Sequence, residues 1–122
     1  MEKKRMKLID VVGDSDFFHA ASTFLDDFKK SENRYDLIKD EPNGGVIDNV
    51  NRCLLVAITH SLCNEYGLTP PTWVNNLAYV LPYPVFAHGT TNEEYQRYLI
   101  ETTPEEFANR NIYYGANVTS RV

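Results

Sequence analysis

The chain contains few cysteines: two among 122 residues, Cys53 and Cys63. Both fall in one predicted helix and are ten residues apart, which corresponds to about 15 Å of helical rise. Because a disulfide requires Cα atoms within about 7 Å of each other, we expect no intrachain disulfide. Free thiols in a buried segment suit a reducing compartment, so the sequence predicts a cytoplasmic protein.

Long apolar runs and an excess of basic residues are also missing. No run approaches the roughly 18 apolar residues of a membrane span, and the apolar stretch Leu8–Val12 is too short for a signal peptide. The formal net charge is −5, which argues against a dedicated nucleic-acid binder, because such proteins usually carry a basic face. We therefore predict one domain over residues 1–122, with no membrane partner and no direct nucleic-acid partner.

One long apolar segment is present, Val46–Tyr66. Its apolar residues recur at spacings of three and four, as one face of a helix requires: Ile47, Val50, Leu54, Ile58 and Leu62. The part from Cys53 to Ile58 is apolar all round, which is typical of a helix covered on most sides. Gly67 suits a left-handed helix end. The sequence thus predicts one central buried helix at about 46–66.

Two helices are predicted before this segment, at residues 3–12 and 16–30, the second capped by Ser15. The second helix has an apolar stripe that fits spacings of three and four: Phe17, Ala20, Ala21, Phe24, Leu25 and Phe28. Its acids Asp26 and Asp27 are expected on a solvated face. We expect this amphipathic helix to pack on the central one.

Helix-start signals recur after the central segment. Cap residues and first-turn acids predict helices from Glu93 to about Glu101 and from Pro104 to about Asn111. In the helix predicted from Glu93, three side chains are expected on the inner side: Tyr95, Tyr98 and Leu99. Residues 81–86 are expected to be extended without a ladder because of two prolines, and residues 112–114 are β-prone but lack an evident partner strand. The predicted fold class is all-α, with an irregular Pro- and aromatic-rich C-terminal half.

Cys53, His60 and Cys63 are the candidates for metal binding or catalysis. Thiolate and imidazole are zinc ligands, and a cysteine beside a histidine can act as a nucleophile. The two cysteines are too far apart to hold one ion together, and a third ligand beside His60 and Cys63 would have to come from His19, His88 or a carboxylate. We therefore predict no catalytic residue, no metal and no cofactor. A small enzyme or metal-binding protein that uses His60 and Cys63 stays as an alternative.

Aromatic residues are concentrated in the second half of the chain, together with two arginines. Protein interfaces favour Trp, Tyr and Arg as anchors, but aromatic residues can equally pack an irregular half onto a central helix. Both roles stay open. The predicted contact surface consists of five residues: Trp73, Tyr83, Phe86, Arg97 and Arg110.

Residues 2–5 and Lys7 form the basic cluster at the N-terminus. A solvated terminus is the favoured explanation of this cluster. A DNA-associated regulator that acts through it is a second alternative, and such binding would weaken steeply with salt.

The order of several motifs resembles a known kind of domain. The motifs are the run Leu55–Leu68, then Pro70, Pro71 and Trp73, then Phe86 before a short helix, then Thr103–Phe107, Arg110–Ile112 and Asn117–Val122. This order is similar to a small helical domain of uncharacterised bacterial proteins, which often forms the C-terminal part of helix-turn-helix regulators of the toxin–antitoxin kind. The resemblance covers roughly residues 34–122 and implies a non-enzymatic interaction or regulatory role.

The resemblance supplies no catalytic residue. The first 33 residues lack a recognisable recognition helix, so DNA binding does not follow from it. The sequence therefore predicts a protein-binding or regulatory domain, antitoxin-like in one form, whose partner is another protein or a second copy of the chain.

Overall fold

Helix α4, the longest helix described, spans Asn49–Tyr66 in the computed structural model, which describes residues 5–116 and 118. It begins three residues later than predicted because the Asp48 carboxylate accepts a hydrogen bond from the Asn51 amide (2.8 Å) and caps the helix. It ends at Gly67, whose φ of 69° is left-handed, as predicted. The buried residues of α4 are Cys53, Leu54, Leu55, Val56, Ala57, Ile58, Thr59, Leu62 and Cys63.

From Arg5 onwards, three helices precede α4: α1 (Leu8–Val12), α2 (Phe17–Lys30) and α3 (Arg34–Ile38). The predicted helix at 3–12 is thus observed at its C-terminal end, and residues 1–4 lie outside the described part. Asp16, rather than the predicted Ser15, caps α2 by accepting a hydrogen bond from the His19 amide (3.3 Å). The whole predicted apolar stripe of α2 is buried.

The prediction that Asp27 lies on a solvated face is wrong. This residue of α2 is 8% exposed, and its carboxylate accepts a hydrogen bond from the Met6 amide (2.8 Å). The Arg5 guanidinium lies 3.6 Å from the same carboxylate. A buried carboxylate is tolerated here because both of these donors compensate its charge.

The second half of the chain consists of short elements. They are two 3₁₀ turns (Thr72–Asn75 and Leu77–Tyr79), β1 (Val85–Phe86), a third 3₁₀ turn (Ala87–Gly89), α5 (Glu93–Thr102), α6 (Glu105–Ala108) and β2 (Ile112–Tyr113). The described structure is 58% helix and 4% strand, which confirms the predicted helical class.

The expectation that residues 112–114 have no partner strand is wrong. β1 and β2 pair in parallel, with Val85 beside Ile112 and Phe86 beside Tyr113. The Val85 amide donates to the Asn111 carbonyl (2.8 Å), and the Leu81 amide donates to the Arg110 carbonyl (3.1 Å). The prolines do not prevent this ladder because it begins one residue after Pro84, so no proline amide has to donate.

Candidate functional site

A cleft of about 1000 Å³ lies between α2, α4, α5 and the segment that begins at β1. We call it the aromatic cleft, and its lining includes Phe18, Leu54, Ile58, Phe86, Tyr95 and Tyr98. The α4 residues among them, Leu54 and Ile58, are 4% and 3% exposed and belong to the core. One wall of the hydrophobic core is therefore also a wall of the cleft.

Three aromatic side chains at the cleft are exposed: Phe18 by 68%, Tyr98 by 57% and Tyr95 by 38%. The rings of Tyr95 and Tyr98 stack at 6.2 Å between centroids with an interplanar angle of 12°, and Phe18 meets Phe17 edge-on at 5.2 Å. Exposed apolar side chains gathered at one place, rather than scattered singly, mark interaction sites on soluble proteins.

Two acidic residues are neighbours of Tyr98 on α5, outside the set of residues that lines the aromatic cleft. Glu94 and Glu101 precede and follow Tyr98 by four and three residues on α5, so they neighbour Tyr98 on the helix surface. Both are exposed. Among residues 5–116 and 118, the ion pairs involve other acids, Asp26, Asp27 and Asp36, so these two glutamates have no cationic partner there.

Of the five residues in the predicted contact surface, Phe86 lines the aromatic cleft. Its ring stacks on Tyr113 of β2 at 5.3 Å. Tyr83 is 76% exposed but does not line the cleft. Arg97 is also exposed, and it lies about 200° around α5 from Tyr95, which directs it away from the cleft.

Trp73 is half-buried and bonded within the chain. Its indole Nε1 donates to the Lys39 carbonyl (3.3 Å), and its ring meets Tyr79 edge-on at 6.5 Å between centroids. The Tyr79 hydroxyl donates in turn to the Glu41 carboxylate. These contacts attach the 3₁₀ turns to the segment after α3.

Arg110 does not belong to an exposed contact surface, which corrects the prediction. It is 6% exposed. Its guanidinium donates to the carbonyls of Glu106 (2.6 Å) and Val74 (2.8 Å) and lies 3.4 Å from His60 Nδ1. Arg110 is buried because it supplies donors to backbone carbonyls where α6, α4 and the first 3₁₀ turn meet.

The geometry gives no support to an enzyme or a metal site at His60 and Cys63. Cys63 is fully buried, and burial raises the pKa of its thiol to about 11, so it is not a thiolate at neutral pH. His60 faces the Arg110 guanidinium; burial, and then this charge, lowers the pKa of His60. The described part of the chain has no group of three or more His, Cys, Asp or Glu side chains placed to hold a metal ion.

The basic N-terminal cluster lies partly outside the described residues, which begin at Arg5. Its two described members face acids: Arg5 lies 3.6 Å from Asp27, and Lys7 Nζ lies 3.7 Å from Asp36. These two cations are therefore partly neutralised within the chain and are not presented as a free basic patch.

The predicted contact surface does not include the three exposed aromatic residues of the cleft. Tyr95 and Tyr98 were expected on the inner side of α5, but Leu99 is the buried residue of that helix. Phe18 carried a usable signal, because it is an aromatic residue outside the apolar stripe of its amphipathic helix. An aromatic residue on the polar side of a helix can indicate a surface that binds something.

No protein-family model matches the chain, and no curated protein or solved structure matches it. Over the described residues, no helix is both long enough and apolar enough to cross a membrane. The aromatic cleft is therefore the candidate functional site.

Proposed function

We propose that the chain is a non-enzymatic protein-binding or regulatory domain whose contact surface is the aromatic cleft. The observation that supports this proposal is the exposure of Phe18, Tyr95 and Tyr98 around one cleft with a core wall. Aromatic side chains dominate binding energy at protein interfaces, because they bury a large area while losing little rotamer freedom.

The size of the cleft favours a macromolecular segment over a small metabolite. A volume of about 1000 Å³ is at the upper end of the range that drug-sized ligands fill. The aromatic cleft also lacks a described cluster of titratable groups suited to metal binding. Several apolar side chains of a partner would fill such a space better than one polar substrate.

In this proposal the chain is one bacterial, cytoplasmic domain organised around α4, and its Pro- and aromatic-rich half packs against that helix. The free, buried thiols of Cys53 and Cys63 support a reducing compartment. The motif order noted in the sequence supports an antitoxin-like or regulatory role. The partner is another protein or a second copy of this chain.

The test is affinity capture of the tagged full chain from its host, quantified by mass spectrometry and compared across matched variants. Phe18→Ala and Tyr98→Ala each remove one exposed aromatic ring from the cleft. Leu77→Ala is the control, because Leu77 is 83% exposed and does not line the cleft. We expect a partner that comes with the wild type and the control, and whose recovery falls at least tenfold with the cleft variants.

A tenfold loss corresponds to about 1.4 kcal/mol of contact free energy, which is within the range of a single interface anchor. Recovery that is equal for the wild type and the cleft variants would overturn the proposal. So would an equal loss in all three variants, since this would place the contact outside the cleft.

A further inference from the structure

We infer that Asn43 is a site of spontaneous deamidation, at which the side-chain amide leaves as ammonia and the residue becomes aspartate or isoaspartate. The conversion needs water as its co-reactant and no enzyme. The site lies in the loop between α3 and α4, so the inference is independent of the aromatic cleft and of the partner proposed for it.

The sequence supplies the first requirement for this reaction. Asn43 is followed by Gly44, and no other asparagine in the sequence precedes a glycine. Asparagine is a thermolabile residue type, because the amide nitrogen of the next residue can attack its side-chain carbon Cγ and close a five-membered ring. A glycine at the next position favours the attack, since it has no Cβ to obstruct the approach of its nitrogen.

The fold leaves both reacting groups free. Asn43 is exposed, and its side chain forms no hydrogen bond with any of residues 5–116 and 118. The Gly44 amide likewise donates to none of these residues. Gly44 has a φ of 71°, and a Cβ built there would have no described neighbour within 4 Å beyond the adjacent residues. The ring can therefore close without displacing a packed group.

The reaction balances without an oxidant or a reductant. A bond forms between the Gly44 nitrogen and Asn43 Cγ, the Cγ–Nδ2 bond breaks, and Nδ2 leaves as ammonia with the proton of the Gly44 amide. Water then opens the ring at one of its two carbonyl carbons. Opening at Cγ gives aspartate, whereas opening at the main-chain carbonyl carbon gives isoaspartate, whose backbone passes through Cβ and is longer by one methylene. Both products add one negative charge to the chain.

The modified residue lies between two fixed points of its loop. Before it, the Pro42 carbonyl accepts a hydrogen bond from the Arg52 guanidinium (2.6 Å), and after it, the Val46 amide donates to the Val12 carbonyl (2.8 Å). Gly45 lies so close to the end of α1 that a Cβ there would overlap the Val12 carbonyl oxygen. An additional backbone methylene therefore has to displace this close contact, and we expect isoaspartate to weaken the hydrogen bond between Val46 and Val12.

The first experiment incubates the purified full chain at neutral pH and maps deamidation at each asparagine by mass spectrometry at successive times. A synthetic peptide of residues 40–47 shows the chemistry without the fold. We expect Asn43 to deamidate at least tenfold faster than any other asparagine of the folded chain. If the peptide deamidates while Asn43 of the folded chain stays intact, the fold protects the site and the inference is overturned.

The matched variants are Asn43→Gln and, as control, Asn75→Gln. Glutamine keeps an amide but cannot form the five-membered ring, and Asn75 is an exposed asparagine that is followed by Asn76. Ion-exchange chromatography measures the acidic form that accumulates. We expect this form to appear at the same rate in the wild type and in Asn75→Gln, and at least tenfold more slowly in Asn43→Gln. Equal rates in the two variants would contradict the assignment to Asn43.

The effect on the loop is measured by hydrogen exchange at the Val46 amide. The isoaspartate form is separated from the incubated protein by chromatography and compared with the unmodified chain and with Asn43→Asp, which adds the same charge without the methylene. We expect the Val46 amide to exchange at least tenfold faster in the isoaspartate form than in the other two proteins. Equal exchange in all three would overturn the inferred loosening of the loop from α1.

Discussion

The two halves of the chain are held together in different ways. The region Leu8–Tyr66 consists of helices whose apolar stripes form most of the core. The region from Pro70 to Tyr114 has short elements, and several of its polar side chains form hydrogen bonds with its backbone. The comparison indicates that a periodic apolar pattern is most informative about segments held by repeated apolar contacts, and less informative about irregular segments held by individual hydrogen bonds.

Three side chains of the second region illustrate this difference. Arg110 donates to two carbonyls, Asn111 Nδ2 donates to the Leu81 carbonyl (2.6 Å), and the Thr103 hydroxyl accepts from the Gly115 amide (3.0 Å). Irregular backbone cannot satisfy its own polar groups as a helix does, so side chains must supply the partners.

The largest loss of stability is expected for a substitution in the first region, at Phe24 of α2. This residue is fully buried, and its ring lies 6.0 Å from Phe28. Phe24→Ala should lower the free energy of unfolding by about 3–5 kcal/mol, because it removes apolar contact and leaves a cavity. Urea unfolding followed by circular dichroism measures this change.

The matched control is Phe18→Ala, the same substitution on the same helix at a residue that is 68% exposed. We expect a change within about 0.5 kcal/mol, as for most surface substitutions. Similar losses for the two variants would contradict the division of α2 into a core face and a cleft face. A stable Phe18→Ala protein also qualifies the variant for the capture experiment.

A smaller effect is expected in the second region, at Arg110. Arg110→Met keeps much of the apolar stem but removes the donors to the Val74 and Glu106 carbonyls. A buried acceptor left without a partner costs about 1–3 kcal/mol, so urea unfolding at neutral pH should show a loss of that order.

Arg97→Met serves as the control, because Arg97 is exposed on α5 and has no described ion pair. Its expected effect is within about 0.5 kcal/mol. Arg110→Met could instead leave the free energy of unfolding unchanged or raise it. The hydrogen bonds of the second region would then stabilise it less than its apolar contacts do, and both regions would be held mainly by apolar contacts.

The same division explains what could be predicted from the sequence. The spacing of apolar residues predicted α2 and α4. Gly67 predicted the end of α4, and a cap residue with first-turn acids predicted the start of α5 at Glu93. These signals are local, since each depends on residues within a few positions of one another.

The features that could not be predicted depend on contacts between distant residues. The pairing of β1 with β2 joins residues 27 positions apart, Val85 with Ile112. The burial of Arg110 depends on a carbonyl 36 positions away, at Val74. The aromatic cleft likewise combines α2 with α5, and Phe86 was the one residue of the predicted contact surface that lines it, while the unusual position of Phe18 was a second available signal.

The smallest effect on the free energy of unfolding is expected at His60, where the two regions meet. Burial and then the Arg110 charge lower the pKa of His60, while Glu106 and Glu105 oppose this effect. His60 Nδ1 faces two guanidinium nitrogens that can only donate, so Nδ1 accepts and the proton of neutral His60 lies on Nε2.

Because the pKa of His60 is lower in the folded chain than in the unfolded one, the unfolded chain binds more protons as the pH falls below about 6.5. The contribution of His60 is therefore fully present above that pH and is lost as the pH falls towards the folded pKa. His60→Gln keeps an acceptor for Arg110 without a titrating group, so its free energy of unfolding should fall less between pH 7 and pH 5 than that of the wild type. If the free energy of unfolding of His60→Gln fell between pH 7 and pH 5 as much as that of the wild type, groups other than His60 would cause the loss of stability in acid.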